Sequence, residues 1–137
     1  MFLEFADWLM YLDKPATRTY HAQEAQDRCQ CQYCKNFYQS VDAIYPDLRY
    51  FLSRFGVDIE TPESLIPITA ELYQASFAVQ GKILRFGSDP IWVNGIAVTA
   101  EEYESESFLL QIGLMNIPWT MPQSPDTLPV PDFFRKH

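Results

Sequence analysis

The sequence predicts an α+β domain: a two-helix segment packed on a mainly antiparallel β-sheet, with an extended proline-rich C-terminal tail. Three observations carry that prediction. Phe37, Val41, Ile44, Leu48, Phe51, Leu52 and Phe55 recur at steps of three and four, the period of one apolar helix face. From Ile66 onward the chain turns β-like, and Asn94-Gly95 stands between the apolar runs 91–93 and 96–98, the strongest short-range hairpin signal. Five of the ten prolines then fall between Pro118 and Pro131, where neither helix nor sheet can continue.

Each element follows from local chemistry. Residues 2–12 are aromatic and branched and alternate imperfectly, which reads as a strand. A helix is the alternative there, because Phe5, Trp8, Leu9 and Leu12 also share helical spacing. Asp13-Lys14-Pro15 reads as a turn, since proline fixes φ and lacks a donor. Residues 17–22 (TRTYHA) then read as a short strand pairing back, and 23–28 as polar connection. Pro46 interrupts the helical stripe, so two helices are expected, 32–44 and 46–55, with the proline in the first turn of the second. Gly56 stands where a left-handed residue ends a helix. Thr61-Pro62-Glu63-Ser64 has the order of an N-cap, a first-turn proline and one helical turn.

In the β half, the runs 68–79 and 82–86 flank Gln80-Gly81, and Thr99 with Glu102 has capping-box spacing. Residues 108–117 form the last expected strand, with Phe108, Leu110, Ile112 and Leu114 on one face. Residues 1–117 are therefore expected to make a single domain. Residues 118–137 are expected to form a tail docked on it, anchored by Trp119 and the Phe133-Phe134 pair.

Composition narrows the partners. At 137 residues, 47% hydrophobic and 15% aromatic, the chain suits one domain with a real core rather than disorder. No run approaches the ~18 uncharged apolar residues of a membrane span, so no membrane partner is expected. Ten Lys+Arg against eighteen Asp+Glu give a net charge of −8, and residues 86–134 hold seven acids and no Lys or Arg. Polyanion binding needs a basic footprint, so no nucleic-acid partner is expected. Residues 1–12 lack the basic start and unbroken apolar stretch of a secretory signal, and three cysteines leave an odd thiol. A cytoplasmic location is the expectation.

All three cysteines fall within Cys29-Gln30-Cys31-Gln32-Tyr33-Cys34, where the first long helix begins. A helix N-terminus favours thiolate, and thiolate is both nucleophile and metal ligand. Three readings stand side by side. A tetrahedral zinc site would use Cys29, Cys31, Cys34 and a fourth ligand, with His21 nearest in sequence and His137 the other histidine. A thiol–disulfide site would use Cys31 and Cys34 with Cys29 spare, although no buried strand precedes the helix as in thioredoxin-like units. The third reading is that small thiols simply pack the start of the helix.

The motif Cys29-x-Cys31-x-x-Cys34-x-Asn36-Phe37, the helix ending at Gly56-Val57-Asp58, Pro62-Glu63 and a last strand ending at Pro118-Trp119 resemble a group of small uncharacterised bacterial proteins. The resemblance covers residues 29–64 and 108–119. It implies a compact bacterial cytosolic domain with Cys29, Cys31, Cys34 and Asn36 in its motif, and it carries no activity and no catalytic residue.

Other polar groups read as ordinary. Glu101, Glu102, Glu104 and Glu106 form a solvated acidic segment, and the scattered glycines make no phosphate loop. Ser40 near Asp42 has no local histidine, and Arg49 and Arg54 read as exposed partners of nearby acids. With no catalytic machinery legible, the first functional expectation is a non-enzymatic protein-interaction module with a protein partner, for example an acidic inhibitor of a basic protein. The alternative is a small metal- or thiol-dependent enzyme centred on Cys29, Cys31 and Cys34, with zinc as the candidate cofactor and Asn36 as the neighbouring polar group.

Overall fold

The computed structural model describes residues 1–125. The chain opens with a hairpin, β1 (Phe2–Phe5) and β2 (Trp8–Leu12), followed by α1 (Lys14–Glu24), a 3-10 turn (Ala25–Asp27), α2 (Gln32–Ile44) and α3 (Leu48–Ser53). Strands β3 (Ser64–Thr69), β4 (Leu72–Arg85), β5 (Ile91–Val93), β6 (Ile96–Glu102) and β7 (Ser107–Asn116) follow. They pair antiparallel in the order β1-β2-β4-β7-β6-β5, with β3 also on β4. The architecture is α+β. Among the described residues no helix is long and apolar enough to cross a membrane.

The apolar stripe is buried as its period demands. Phe37, Val41, Leu48, Leu52 and Phe55 are wholly inside, in one cluster with Tyr73, Phe77, Phe108, Leu110 and Met115 of the sheet. The Phe37 ring meets Tyr73 of β4 at 6.0 Å, and Phe51 and Phe55 meet Phe5 of β1 at 5.3 and 5.8 Å. Ile44, at the end of α2, is exposed instead. Pro46 lies in the link before α3 rather than in its first turn, and Tyr45 before it has left the helical region (φ −127°, ψ 74°), which a following proline disfavours. Asn94 of the Asn94-Gly95 turn clamps that link: its Oδ1 accepts from Asp47 N (2.8 Å) and its Nδ2 donates to Asp47 Oδ2 (2.9 Å). Both turn residues have positive φ (49° and 80°), as that hairpin type requires. Gly56 takes the expected left-handed conformation at φ 85°.

Several elements differ from the sequence reading. Residues 2–12 are two strands, not one, folded at Ala6 and Asp7. Residues 17–22 are helix, not strand. Asp13 Oδ1 accepts from Ala16 N (3.0 Å) as an N-cap, with Pro15 in the first turn. That cap overrides the β-propensity of Thr17, Thr19 and Tyr20, and it turns Thr17 and His21, four residues apart, onto the sheet. Thr61–Ser64 is not a helical turn: the Thr61 hydroxyl donates to Asp58 Oδ2 (2.9 Å), and Glu63 N donates to Ser76 O (2.8 Å) as the chain joins the sheet.

The β half is also differently partitioned. Gln80-Gly81 is no turn but lies within β4, where Gly81 has φ 152° and a Cβ would stand 2.0 Å from the Tyr11 carbonyl oxygen. The true reversal is at Ala70-Glu71, which carries no glycine, proline or asparagine. Thr99 and Glu102 lie in β6, so no capping box forms there. On β7, Phe108, Leu110 and Ile112 face the core, whereas Leu114 is exposed and Met115 buried. The opposing register shifts between Tyr73 and Ala75, and that irregularity reverses the alternation.

Candidate metal centre

The cysteine segment is held from both sides. Before it, the Arg28 guanidinium donates to Asp58 Oδ2 and to the Thr61 hydroxyl, both at 3.0 Å, and lies 5.9 Å from the centre of the Tyr38 ring. Tyr38, one turn beyond Cys34 on α2, donates its hydroxyl to the Cys29 carbonyl (3.2 Å). The backbone of Cys29 is thus fixed by the helix that follows it. Cys31 is the N-cap of α2: its Sγ accepts from Cys34 N (3.4 Å), and its carbonyl accepts from Lys35 N (2.9 Å).

Cap and first turn bring the three sulfurs together. The Sγ atoms of Cys29, Cys31 and Cys34 all lie within 4.8 Å of one another, and none is in a disulfide. They grade from solvent to core, with Cys31 exposed, Cys29 half-buried and Cys34 buried. This grading separates their acidities. Hydrogen bonding from the Cys34 thiol lowers the Cys31 pKa to about 5, helped by the Cys34 N–H, the Cys29 thiol and the Tyr33 N–H. Cys34 is raised because its proton serves Cys31, with burial adding to the effect, and burial raises Cys29. Cys31 is the first of the three to ionise and Cys34 the last.

The donor set fits a soft cation. Sulfurs within 4.8 Å of one another stand no more than ~1 Å beyond the ~3.8 Å sulfur–sulfur edge of a tetrahedral site with Zn–S bonds of ~2.3 Å. His21 does not join them. It sits on α1, buried, with Nε2 donating to the Ala78 carbonyl (2.8 Å) and burial lowering its pKa. The α1 cap that made this segment helical committed the histidine to the helix–sheet contact. His137 lies outside the described residues.

Asn36, two residues beyond Cys34, is wholly buried and ties α2 to the chain after β7. Its Nδ2 donates to Tyr73 Oη and to the Pro118 carbonyl, both at 3.1 Å. Its Oδ1 accepts from Thr120 N (2.8 Å) and from the Thr120 hydroxyl (3.1 Å). Beside it the Tyr33 and Trp119 rings meet edge-on at 5.5 Å, and Trp119 Nε1 donates to Gln123 O (2.8 Å). Burial pushes the Tyr73 hydroxyl up to about 12, so it stays protonated and donates to Ala70 O (3.1 Å). The expected anchor at Phe133-Phe134 lies outside the described residues.

The remaining candidates are placed elsewhere. Ser40 Oγ pairs with the Thr120 hydroxyl (3.0 Å), while Asp42 pairs with Arg49 at 3.0 Å. Arg49 also reaches Glu60 (3.2 Å), and Arg54 lies over the Phe5 ring at 4.7 Å. Glu101, Glu102, Glu104 and Glu106 are exposed, and Glu101 accepts from Gln111 Nε2. Sequence reasoning missed Arg28, Tyr38 and Asp58 as supports of the cluster. Their only sequence signal is adjacency, Arg28 to Cys29 and Asp58 to Gly56-Val57. No family model, curated protein or solved structure matches this chain.

Proposed function

We propose that this protein is a thiolate metal-binding module in which Cys29, Cys31 and Cys34 hold one soft divalent ion, zinc by class. The observation that carries the reading is the convergence of three sulfur atoms within 4.8 Å at a helix N-terminus. A metal ligand must be deprotonated, and Cys31, exposed and with its pKa lowered by its neighbours' hydrogen bonds, offers a thiolate beside two further sulfurs. A reducing, cytoplasmic setting suits three free thiols. When bound, zinc would supply a Lewis-acidic centre and tie the start of α2 to Cys29. Elemental analysis of protein purified without chelator tests the reading, with ~1 equivalent of zinc expected and loss of that metal in Cys31→Ser. Metal-free protein that takes up no zinc or cadmium would refute it.

A second reading, a non-enzymatic partner-binding module, is favoured by a row of exposed apolar side chains. Phe2 of β1, Tyr11 of β2 and Leu84 of β4 lie on neighbouring strands, with Phe2 and Tyr11 in ring contact at 5.4 Å. A photo-crosslinker at Tyr11 should capture a discrete protein species that Leu84→Glu abolishes. A smear unaffected by Leu84→Glu would refute it.

A further inference from the structure

We propose that the ion at this cluster is mononuclear and keeps one exchangeable position, which takes the thiolate of a small-molecule thiol. The inference rests on the metal reading and deepens it. The sulfurs lie within 4.8 Å of one another, close to the edge of a single tetrahedral ion. A cuboidal iron–sulfur cluster places each cysteine on a different iron and spreads the sulfurs wider. One ion is therefore the group that this spacing suits.

Among the described residues, no histidine, aspartate, glutamate or fourth cysteine joins the group. His21 stands apart from the three sulfurs, its Nε2 on the Ala78 carbonyl. The Asp58 carboxylate takes Arg28, Thr61 and the Glu60 N–H. Tyr38 spends its hydroxyl proton on the Cys29 carbonyl. Three protein ligands and an open place are the arrangement of ions that exchange ligands, not of closed structural sites. The cluster is also reachable, because Cys31 is exposed while Cys34 is buried, so the sulfur triangle runs from surface to core. A soft ion already bound by three sulfurs selects a fourth soft donor. In the exchange a metal-bound water leaves, a metal–sulfur bond forms, and the thiol's proton passes to solvent, with no change of oxidation state.

The test uses the full chain loaded with cobalt(II) and read by absorption spectroscopy. Before thiol is added, sulfur-to-cobalt charge transfer should report three thiolates and the visible bands a four-coordinate ion. Titration with glutathione should raise the charge-transfer intensity by about a third, saturably, as three thiolates become four. Charge transfer that is present but unmoved by glutathione would overturn the open position. Four thiolates before addition, together with dimerisation in sedimentation, would overturn it in favour of a cysteine from a second copy. A glutathione response that appears only after truncation of residues 126–137 would overturn it in favour of a ligand from the tail. Iron-dependent absorption with acid-labile sulfide in the purified protein would overturn the mononuclear assignment. Absence of any charge transfer on cobalt addition would instead refute the metal reading itself.

Discussion

Asn36→Leu should detach the chain after β7 from α2 and lower stability by about 2–3 kcal/mol, a figure that follows from a short inventory of partners. The side chain makes four hydrogen bonds, to Tyr73 Oη, Pro118 O, Thr120 N and the Thr120 hydroxyl, from a wholly buried position. At ~1 kcal/mol net each, four bonds set a ceiling near 4 kcal/mol. Two considerations lower it. Pro118 and Thr120 are exposed, so water can take over their groups, and the Tyr73 hydroxyl keeps Ala70 O as an acceptor. Leucine fills nearly the same volume, so little cavity is added. Urea unfolding followed by circular dichroism should show the midpoint falling by ~1 M at unchanged slope, with Tm lower by about 5–10 °C. Thr120→Val should cost ~1 kcal/mol, and the double variant less than the two single costs together, because the residues share bonds. A loss below ~0.5 kcal/mol in Asn36→Leu would show that the polar hub contributes little, and the reasoning would fail.

Three further outcomes are expected. In metal-free protein, iodoacetamide at neutral pH should label Cys31 first, at a rate nearly flat above pH ~6.5, because its thiol is held at about 5, while Cys34 should label only on unfolding; peptide mapping showing equal labelling would contradict this. Burial lowers the His21 pKa, so the unfolded chain takes up that proton first. The contribution is then complete above ~6.5 and lost as pH falls through the folded-state value, and His21→Gln should flatten the decline in unfolding free energy between pH ~7.5 and ~5.5. Gly81→Ala should disrupt the β2–β4 pairing at a cost of at least ~3 kcal/mol, since its Cβ would meet the Tyr11 carbonyl at 2.0 Å. Gly95→Ala, with nothing within 4 Å, should cost only the ~1 kcal/mol of a left-handed alanine, and thermal melts should separate the two.

The helical pair and the Asn94-Gly95 hairpin were legible because each is written in local chemistry, a period and a turn dipeptide. Where the reading went astray, a single polar contact outweighed propensity. Asp13 made a helix of TRTYHA, and Asp58 took the Thr61 hydroxyl that would have capped a helical turn. Gly81 looked like a turn but accommodates a neighbouring carbonyl, a contact 70 residues away in sequence that no local pattern carries. The proximity of the three thiols was readable from their spacing, since a cap and one helical turn cannot separate them. The distance of His21 from them was not, because it depends on the face α1 turns to the sheet. Nor could the sequence disclose that Arg28 and Tyr38 brace the cluster, for Arg28 is held by Asp58 thirty residues on, and Tyr38 reaches the Cys29 carbonyl only because the chain before α2 folds back along the helix.

Strand β4 is long enough to serve two groups of partners, β3 and β7 up to Gln80 and β2 from Gly81 onward. During synthesis this has a consequence in time. Leu12 leaves the ribosome 69 residues before Gly81, the residue it pairs with. At roughly 5–20 residues per second, the first hairpin waits about 3–14 s for its mate. Throughout that interval Trp8, Met10 and Leu12, all destined for the interior, lack the β4 strand that completes their sheet. The segment is therefore the natural place for a nascent-chain chaperone to bind, and β4 is the piece whose arrival releases it.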